Sequence, residues 1–228
     1  MSSVVAARSS VAVGYPSRTR QRLETRDRLF EAALGEFRRV GVAAAEIEDI
    51  VRAADVARGT FYLHFPTKDH VLMELLRRQQ RDLGERLRSA RTLSPRSFLR
   101  RAVDLMVENS VRESALYHEL FAVIARHASE MRSEASALVE ALVTFFRAGQ
   151  RRGELRRDLT PLDLTNVFLP GVYGLLQMKL DAPRAELREA LYHVVDIFVR
   201  GIEGDGKRLA AGGGRKRPVS SCRKPAAG

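Results

Sequence analysis

Residues 46–64 read EIEDIVRAADVARGTFYLH, two short segments with apolar residues three and four apart, joined at Ala54-Asp55-Val56 by room for only a tight turn. This is helix-turn-helix spacing. Ile47, Ile50 and Val51 on the first segment, with Val56, Phe61 and Phe65 around the second, supply a small core against Leu34 and Phe37 upstream. The second segment then projects as a rigid rod that suits a major groove about 12 Å wide. Asp55 stands in the turn where glycine is easiest, and aspartate tolerates the left-handed region better than most residues.

Outward from this stretch, helical periodicity continues over 18–203 with no alternating run that would make a strand, so the predicted fold class is all-α. Nine helices are predicted, at about 18–40, 46–53, 57–63, 67–89, 95–111, 113–128, 130–152, 161–181 and 184–202. Leu23, Phe30, Ala33, Leu34 and Phe37 mark the inner face of the first, which ends where Arg38 and Arg39 meet the C-terminal dipole and Gly41 takes a left-handed cap. Pro66 breaks what precedes it and Thr67 is placed to cap the next helix. Ser94-Pro95 and Thr160-Pro161 each put a capping hydroxyl before a proline at the first helical position, and Gly153 after Arg151 and Arg152 is a stop. Nothing breaks the chain strongly near Arg112.

The chain has 228 residues and a formal charge of +11, which fits an anionic partner such as nucleic acid. More than half of that excess lies in residues 204–228, a Gly-, Arg- and Lys-rich stretch with too little apolar surface to offset its ordering entropy. It is either a solvated disordered tail or a sequence-tolerant contact to DNA phosphates. Residues 1–17 form a second disordered arm. The one cysteine, Cys222, allows neither an intrachain disulfide nor a Cys-based zinc site. The longest apolar run, 167–176, is interrupted by Pro170 and two glycines and is far short of the roughly 20 residues of a membrane span. The first 15 residues lack the apolar core of a signal peptide, so a cytoplasmic protein without a membrane partner is expected. No GxSxG elbow, HExxH pair or phosphate-binding loop is present, and no enzyme is expected. His118 and His127, nine apart, fall on opposite sides of a helix; neither a metal site nor a cofactor is expected. His193 reads as a packed or interface histidine.

The segment DVARGTFYLHFPTKDHVL resembles the recognition-helix signature of the TetR family of transcriptional regulators, and the likeness extends from about Arg20 to Leu76. A plain three-helix bundle would need neither a glycine inside its outward helix nor Tyr and His beside Arg on one short turn. The resemblance implies a DNA-binding domain at 18–66 and a helical effector-binding and dimerisation domain at 67–203. It makes Arg58 the base reader, since its fork bonds guanine O6 and N7 together. Gly59 allows close approach, Thr60, Tyr62 and His64 are phosphate contacts, and Leu63 lies against a thymine methyl or sugar. Lys68 meets a phosphate in the first turn of the next helix. These assignments require Tyr62 and His64 to face outward. One departure is plain: where the family places hydroxyl residues before the turn, this chain has Ala45, Glu46 and Glu48. Either that helix contacts DNA weakly, or Glu46 accepts from a cytosine amine. Arg18, Arg20 and Arg22 are either an arm to the DNA or a solvated basic start.

A helix-turn-helix monomer contacts few base pairs, so a homodimer on a palindromic operator of double-stranded DNA is expected. The last two helices, 161–181 and 184–202, are apolar around most of their circumference, and Gly171 and Gly174 permit close approach. They form either the dimer face, which the resemblance makes a four-helix interface, or part of a single-chain core. The resemblance also implies a small-molecule pocket among the middle helices. Met106 with Asn109, Tyr117 with Phe121 and Tyr173 with Gln177 are the pairs that would line it, unless they are ordinary packing. With no inward charge cluster, the expected effector is small and hydrophobic, and the expected function is a ligand-released repressor. The alternative is a sequence-tolerant DNA-coating protein that uses the basic tail.

Overall fold

A computed structural model describes residues 17–127 and 136–204 of the chain. Among them lie nine helices and no strand. In chain order they are α1 (Arg18–Val40), α2 (Ile47–Ala53), α3 (Arg58–His64), α4 (Lys68–Arg88), α5 (Pro95–Arg112), α6 (Ser114–Arg126), α7 (Ala137–Arg151), α8 (Pro161–Met178) and α9 (Arg184–Ile202). The predicted boundaries hold to within a residue or two, with two exceptions. The eighth helix stops at Met178 rather than 181, and the predicted start of the seventh at 130 lies outside the described residues. No helix among the described residues is long and apolar enough to cross a membrane.

The caps follow the sequence signals. Ser17 accepts from the Arg20 amide, Ser94 from the Ser97 amide with Pro95 behind it, and Thr160 forms a reciprocal box with Asp163. Gly41 and Gly153 carry φ of 84° and 74°, the left-handed values that glycine takes without strain. Asp55 joins them at φ 52° and makes the turn between α2 and α3. Thr67 departs from expectation: it holds the N-cap position of α4, but its hydroxyl bonds His70 Nδ1 at 2.8 Å instead of a backbone amide.

Residues α1 to α3 share the predicted core, with Leu34, Phe37, Ile50, Phe61 and Phe65 all buried. Leu23, assigned to that core, is exposed instead, because the inner face of α1 begins only at Leu29. Two cation-bearing side chains strap α1 to α4. Arg26 bonds Glu74 at 3.1 Å and lies 4.4 Å over the Phe65 ring, while Arg78 lies 3.9 Å over Phe30 and pairs with Asp27. The larger body packs α4 against α7 and α5 against α9, with α8 between α7 and α9. At the α4–α7 crossing a Cβ on Gly84 would stand 2.5 Å from the Ala137 carbonyl oxygen, so only glycine allows that approach.

The boundary near Arg112 has a tertiary cause. Glu113 interrupts the helix between α5 and α6, and its buried carboxylate is held in a fork by Arg38 of α1 at 2.9 and 3.1 Å. Arg38 therefore ties the end of α1 to the α5–α6 corner, beyond any favourable effect on its own helix terminus, and Arg39 pairs back to Glu36.

Candidate nucleic-acid interface

α3 has two faces set by helical spacing. Phe61, His64 and Phe65 turn inward, and Phe61 and Phe65 are wholly buried. Arg58, Gly59, Tyr62 and Leu63 turn outward, with Tyr62 46% and Leu63 69% exposed, and Thr60 is half-buried at the edge. The Tyr62 ring meets Phe61 edge-on at 5.5 Å, which fixes its direction from the core side. A Cβ at Gly59 would meet nothing within 4 Å, so no contact inside the chain calls for glycine there.

Two assigned contacts are corrected. His64 is only 8% exposed and its carbonyl accepts from Arg26 Nη1 at 2.7 Å. Burial first, then the charges of Arg22 and Arg26, hold its imidazole below the ordinary value of 6.5. A neutral, inward ring is not a phosphate donor. Lys68 is occupied as well: its ammonium donates to the carbonyls of Val42, Ala43 and Ala45 at 2.6, 3.0 and 3.1 Å. An ammonium has three protons, and all three are spent on the α1–α2 loop. The lysine therefore clamps α4 to that loop, and its charge is not free for a phosphate.

The His64 environment has a pH consequence. Between its depressed native value and 6.5 the unfolded chain binds the proton more readily, so stability rises with pH across that window and is lost as pH falls through it. Melting temperature should drop as the buffer is taken below about pH 6.5, and less steeply in His64→Gln; parallel curves for the two proteins would show that this ring is not responsible.

On the α2 side, Glu46 is the exposed N-cap residue and makes no capping bond, whereas Glu48 pairs directly with Arg58 Nη1. Hydrogen bonding to Tyr62, followed by the charge of Glu48, raises the Arg58 pKa further, so the guanidinium stays charged.

A second feature lies in the body. Gln79, Gln80 and Leu83 of α4, Met106 and Asn109 of α5, Tyr117 of α6 and Tyr173 of α8 line one internal space. The centre of a water-sized sphere sweeps only about 10 Å³ there, room for roughly one water. Four of the six residues predicted for a pocket are thus brought together. Phe121 packs edge-on behind them, 5.8 Å from Tyr117 and 6.4 Å from Tyr173. Gln177, one turn beyond Tyr173 on α8, is exposed and does not line the space. The α4 glutamines were missed because RRQQRD reads as a solvated face. No lining residue carries a formal charge. Burial raises both phenols, Tyr173 to about 12, so they remain neutral donors. Tyr117 points its hydroxyl at Gln79 Oε1 at 3.5 Å, and Gln79 Nε2 is buried with no acceptor.

The outer surface of α8 and α9 is the third feature. Asn166, Val167, Pro170, Gly171, Gly174, Gln177 and Met178 form one exposed stripe on α8, and His193 and Ile197 are exposed on α9. Val167 is 62% and Ile197 72% exposed, a high value for large aliphatic side chains.

Comparison with known proteins agrees with this architecture. The profile of a family described as bacterial regulatory proteins, tetR family, matches residues 29–75, from the inner face of α1 into α4. The HTH-type transcriptional repressor DhaR of Mycobacterium sp. (strain GP1) is 27% identical over 191 residues, 80% of this chain and 96% of DhaR. The HTH-type transcriptional regulator AcrR of Shigella flexneri is 28% identical over 71% of this chain and 81% of its own length. In fold, the chain superposes on the TetR-family repressor FadR of Thermus thermophilus, solved with lauroyl-CoA, with a TM-score of 0.62, 23% identity and coverage of 87% and 100% of the two chains. The tetR-family profile thus falls on the helix-turn-helix of α1 to α4, and the chain is similar to a transcriptional repressor along nearly that repressor's whole length.

Proposed function

We propose that the chain acts as a homodimeric repressor that occupies a palindromic operator and leaves it when a small effector enters the helical body. The observation that carries this reading is the outward face of α3. Arg58, Tyr62 and Leu63 stand free of the core on a helix whose other face is locked by Phe61 and Phe65. Such a rod can offer a guanidinium fork to guanine and a phenol to phosphate without repacking. The uncontacted Gly59 leaves room for a DNA backbone. The domain division follows the same logic, with 18–66 as the reading head and 67–203 as the effector and dimer body. The chain works by occupancy, without catalysis.

The effector reading rests on the neutral space between α4, α5, α6 and α8. It favours an uncharged molecule with a hydrophobic body and an acceptor for Gln79 Nε2. The space is nearly closed, so binding must spread these helices. Because Lys68 clamps the start of α4 to the α1–α2 loop, a shift of α4 moves the reading head. The effector releases DNA only to the extent that it binds the spread form more tightly.

Footprinting of the full chain on the DNA flanking its own coding region tests the reading. Protection should cover two symmetry-related half-sites about one helical turn apart, and it should be lost on adding the effector. Uniform coating without a preferred site would favour the sequence-tolerant alternative driven by the basic tail, whose residues 205–228 lie outside those described. A chain ending at residue 204 should keep the same footprint.

A further inference from the structure

Glu48 and Arg58 come from different helices, are both exposed, and form an ion pair at the tip of the reading head. An exposed pair of this kind contributes little to stability, about 0–1 kcal/mol at best. The α2–α3 core of Ile50, Val51 and Phe61 holds the motif without it. What the pair does set is direction. One nitrogen of the Arg58 fork is taken by Glu48, so the remaining N–H groups are presented away from that carboxylate.

The carboxylate must also be accounted for when DNA arrives. Phosphates repel it, and the major-groove edges of guanine and thymine offer it only acceptors or a methyl group. The groove's donors are the N4 amine of cytosine and the N6 amine of adenine. An arginine fork reads the N7 and O6 of guanine, and a carboxylate beside that fork fits a cytosine amine beside that guanine. Donor fork and adjacent acceptor together complement a G·C edge. Glu46, the acid that sequence alone made an alternative partner for cytosine, makes no contact with Arg58, so this role falls to Glu48.

We infer that Glu48 is a specificity-determining residue of this regulator: it holds the Arg58 guanidinium on a guanine and itself accepts from the N4 amine of a cytosine next to it. The inference rests on the operator-binding reading above, and its test separates the two. Full-length wild type, Glu48→Gln and Glu48→Ala are each used to select binding sites from a pool of randomised duplexes, and affinities are then measured for the enriched sites. The wild-type motif should contain a G with a C at the neighbouring base-pair step.

In Glu48→Gln the preference at the cytosine should move towards adenine, because an amide can bond adenine N6 and N7 together. In Glu48→Ala it should disappear. The cytosine position should lose roughly 5- to 150-fold of discrimination, the span of one good base contact, the guanine read by Arg58 should be less strongly preferred, and positions outside this step should keep theirs. Affinity for random duplex should rise in both variants, since a negative charge near phosphates has been removed. One enriched motif shared unchanged by all three proteins would overturn the inference and leave the operator reading intact. So would variants that weaken every sequence alike. A wild-type pool with no enriched motif would overturn both.

Discussion

An Arg58→Ala dimer should bind its operator more weakly by about 2–6 kcal/mol. That is twice the 1–3 kcal/mol of one bidentate guanine contact, because each half-site loses one. The loss should be much larger on the operator than on random duplex, which loses only the charge of one exposed guanidinium per subunit, so the ratio of specific to non-specific binding falls. The side chain is exposed, and its ion pair to Glu48 adds little to folding, so the melting temperature should stay within about a degree or two of wild type. Titration of operator and scrambled duplexes at one fixed salt concentration measures both quantities. Equal weakening on the two duplexes would mean that Arg58 touches phosphate and reads no base.

Lys68 provides the contrast. A phosphate-binding lysine would, when replaced, weaken all sequences alike and leave the fold untouched. This ammonium instead satisfies three carbonyls of the α1–α2 loop. Lys68→Met should therefore appear first as a loss of stability of about 1–3 kcal/mol, the cost of leaving acceptors without their donor. Any DNA defect would follow from the loosened reading head.

The difference between these two cations marks where sequence reasoning stops. Both are basic residues near the recognition helix, and composition and resemblance treat them alike. What separates them is a loop more than 20 residues upstream, whose carbonyls Lys68 meets only once α1 and α4 have packed. His64 is a similar case. It shares a short turn with Tyr62, but the helical step that turns Tyr62 outward turns His64 inward beneath Arg26. Periodicity could have found this, since Phe61, His64 and Phe65 follow the i, i+3, i+4 spacing of a buried face. By contrast, the helices, most caps and the strained turn at Asp55 were legible because each is written in residues a few positions apart. The α5–α6 break was legible in place but not in cause, because Glu113 is held by Arg38, a partner 75 positions away in the chain. The body's polar space was legible on α5, α6 and α8, where polar residues interrupt apolar helices. It was hidden on α4, where Gln79 and Gln80 sit among arginines.

A comparably large effect is expected at the outer face of α8 and α9. Val167 and Ile197 bury little of their surface within the chain, yet they lie on a stripe where Gly171 and Gly174 present bare backbone. Full burial of such a side chain is worth about 1.5–3 kcal/mol, and two copies related by a two-fold axis count each side chain twice. Asparagine, proline and glycine on the same stripe keep the approach close without adding charge. Aspartate at 167 or 197 would bury two like charges near the symmetry axis of a closed interface, in place of apolar side chains. Val167→Asp and Ile197→Asp should therefore each yield a folded monomer. Helical content should be unchanged, since neither side chain belongs to the buried core. Losing the partner removes the second half-site as an intramolecular contact, so affinity for a two-half-site duplex should fall by about 100-fold or more. Affinity for a single half-site should stay as it is. Sedimentation and titration of both duplexes check the two parts separately. A variant that still sediments as a dimer would place the interface on another face, and a monomer that still binds the full operator like wild type would show that one reading head suffices.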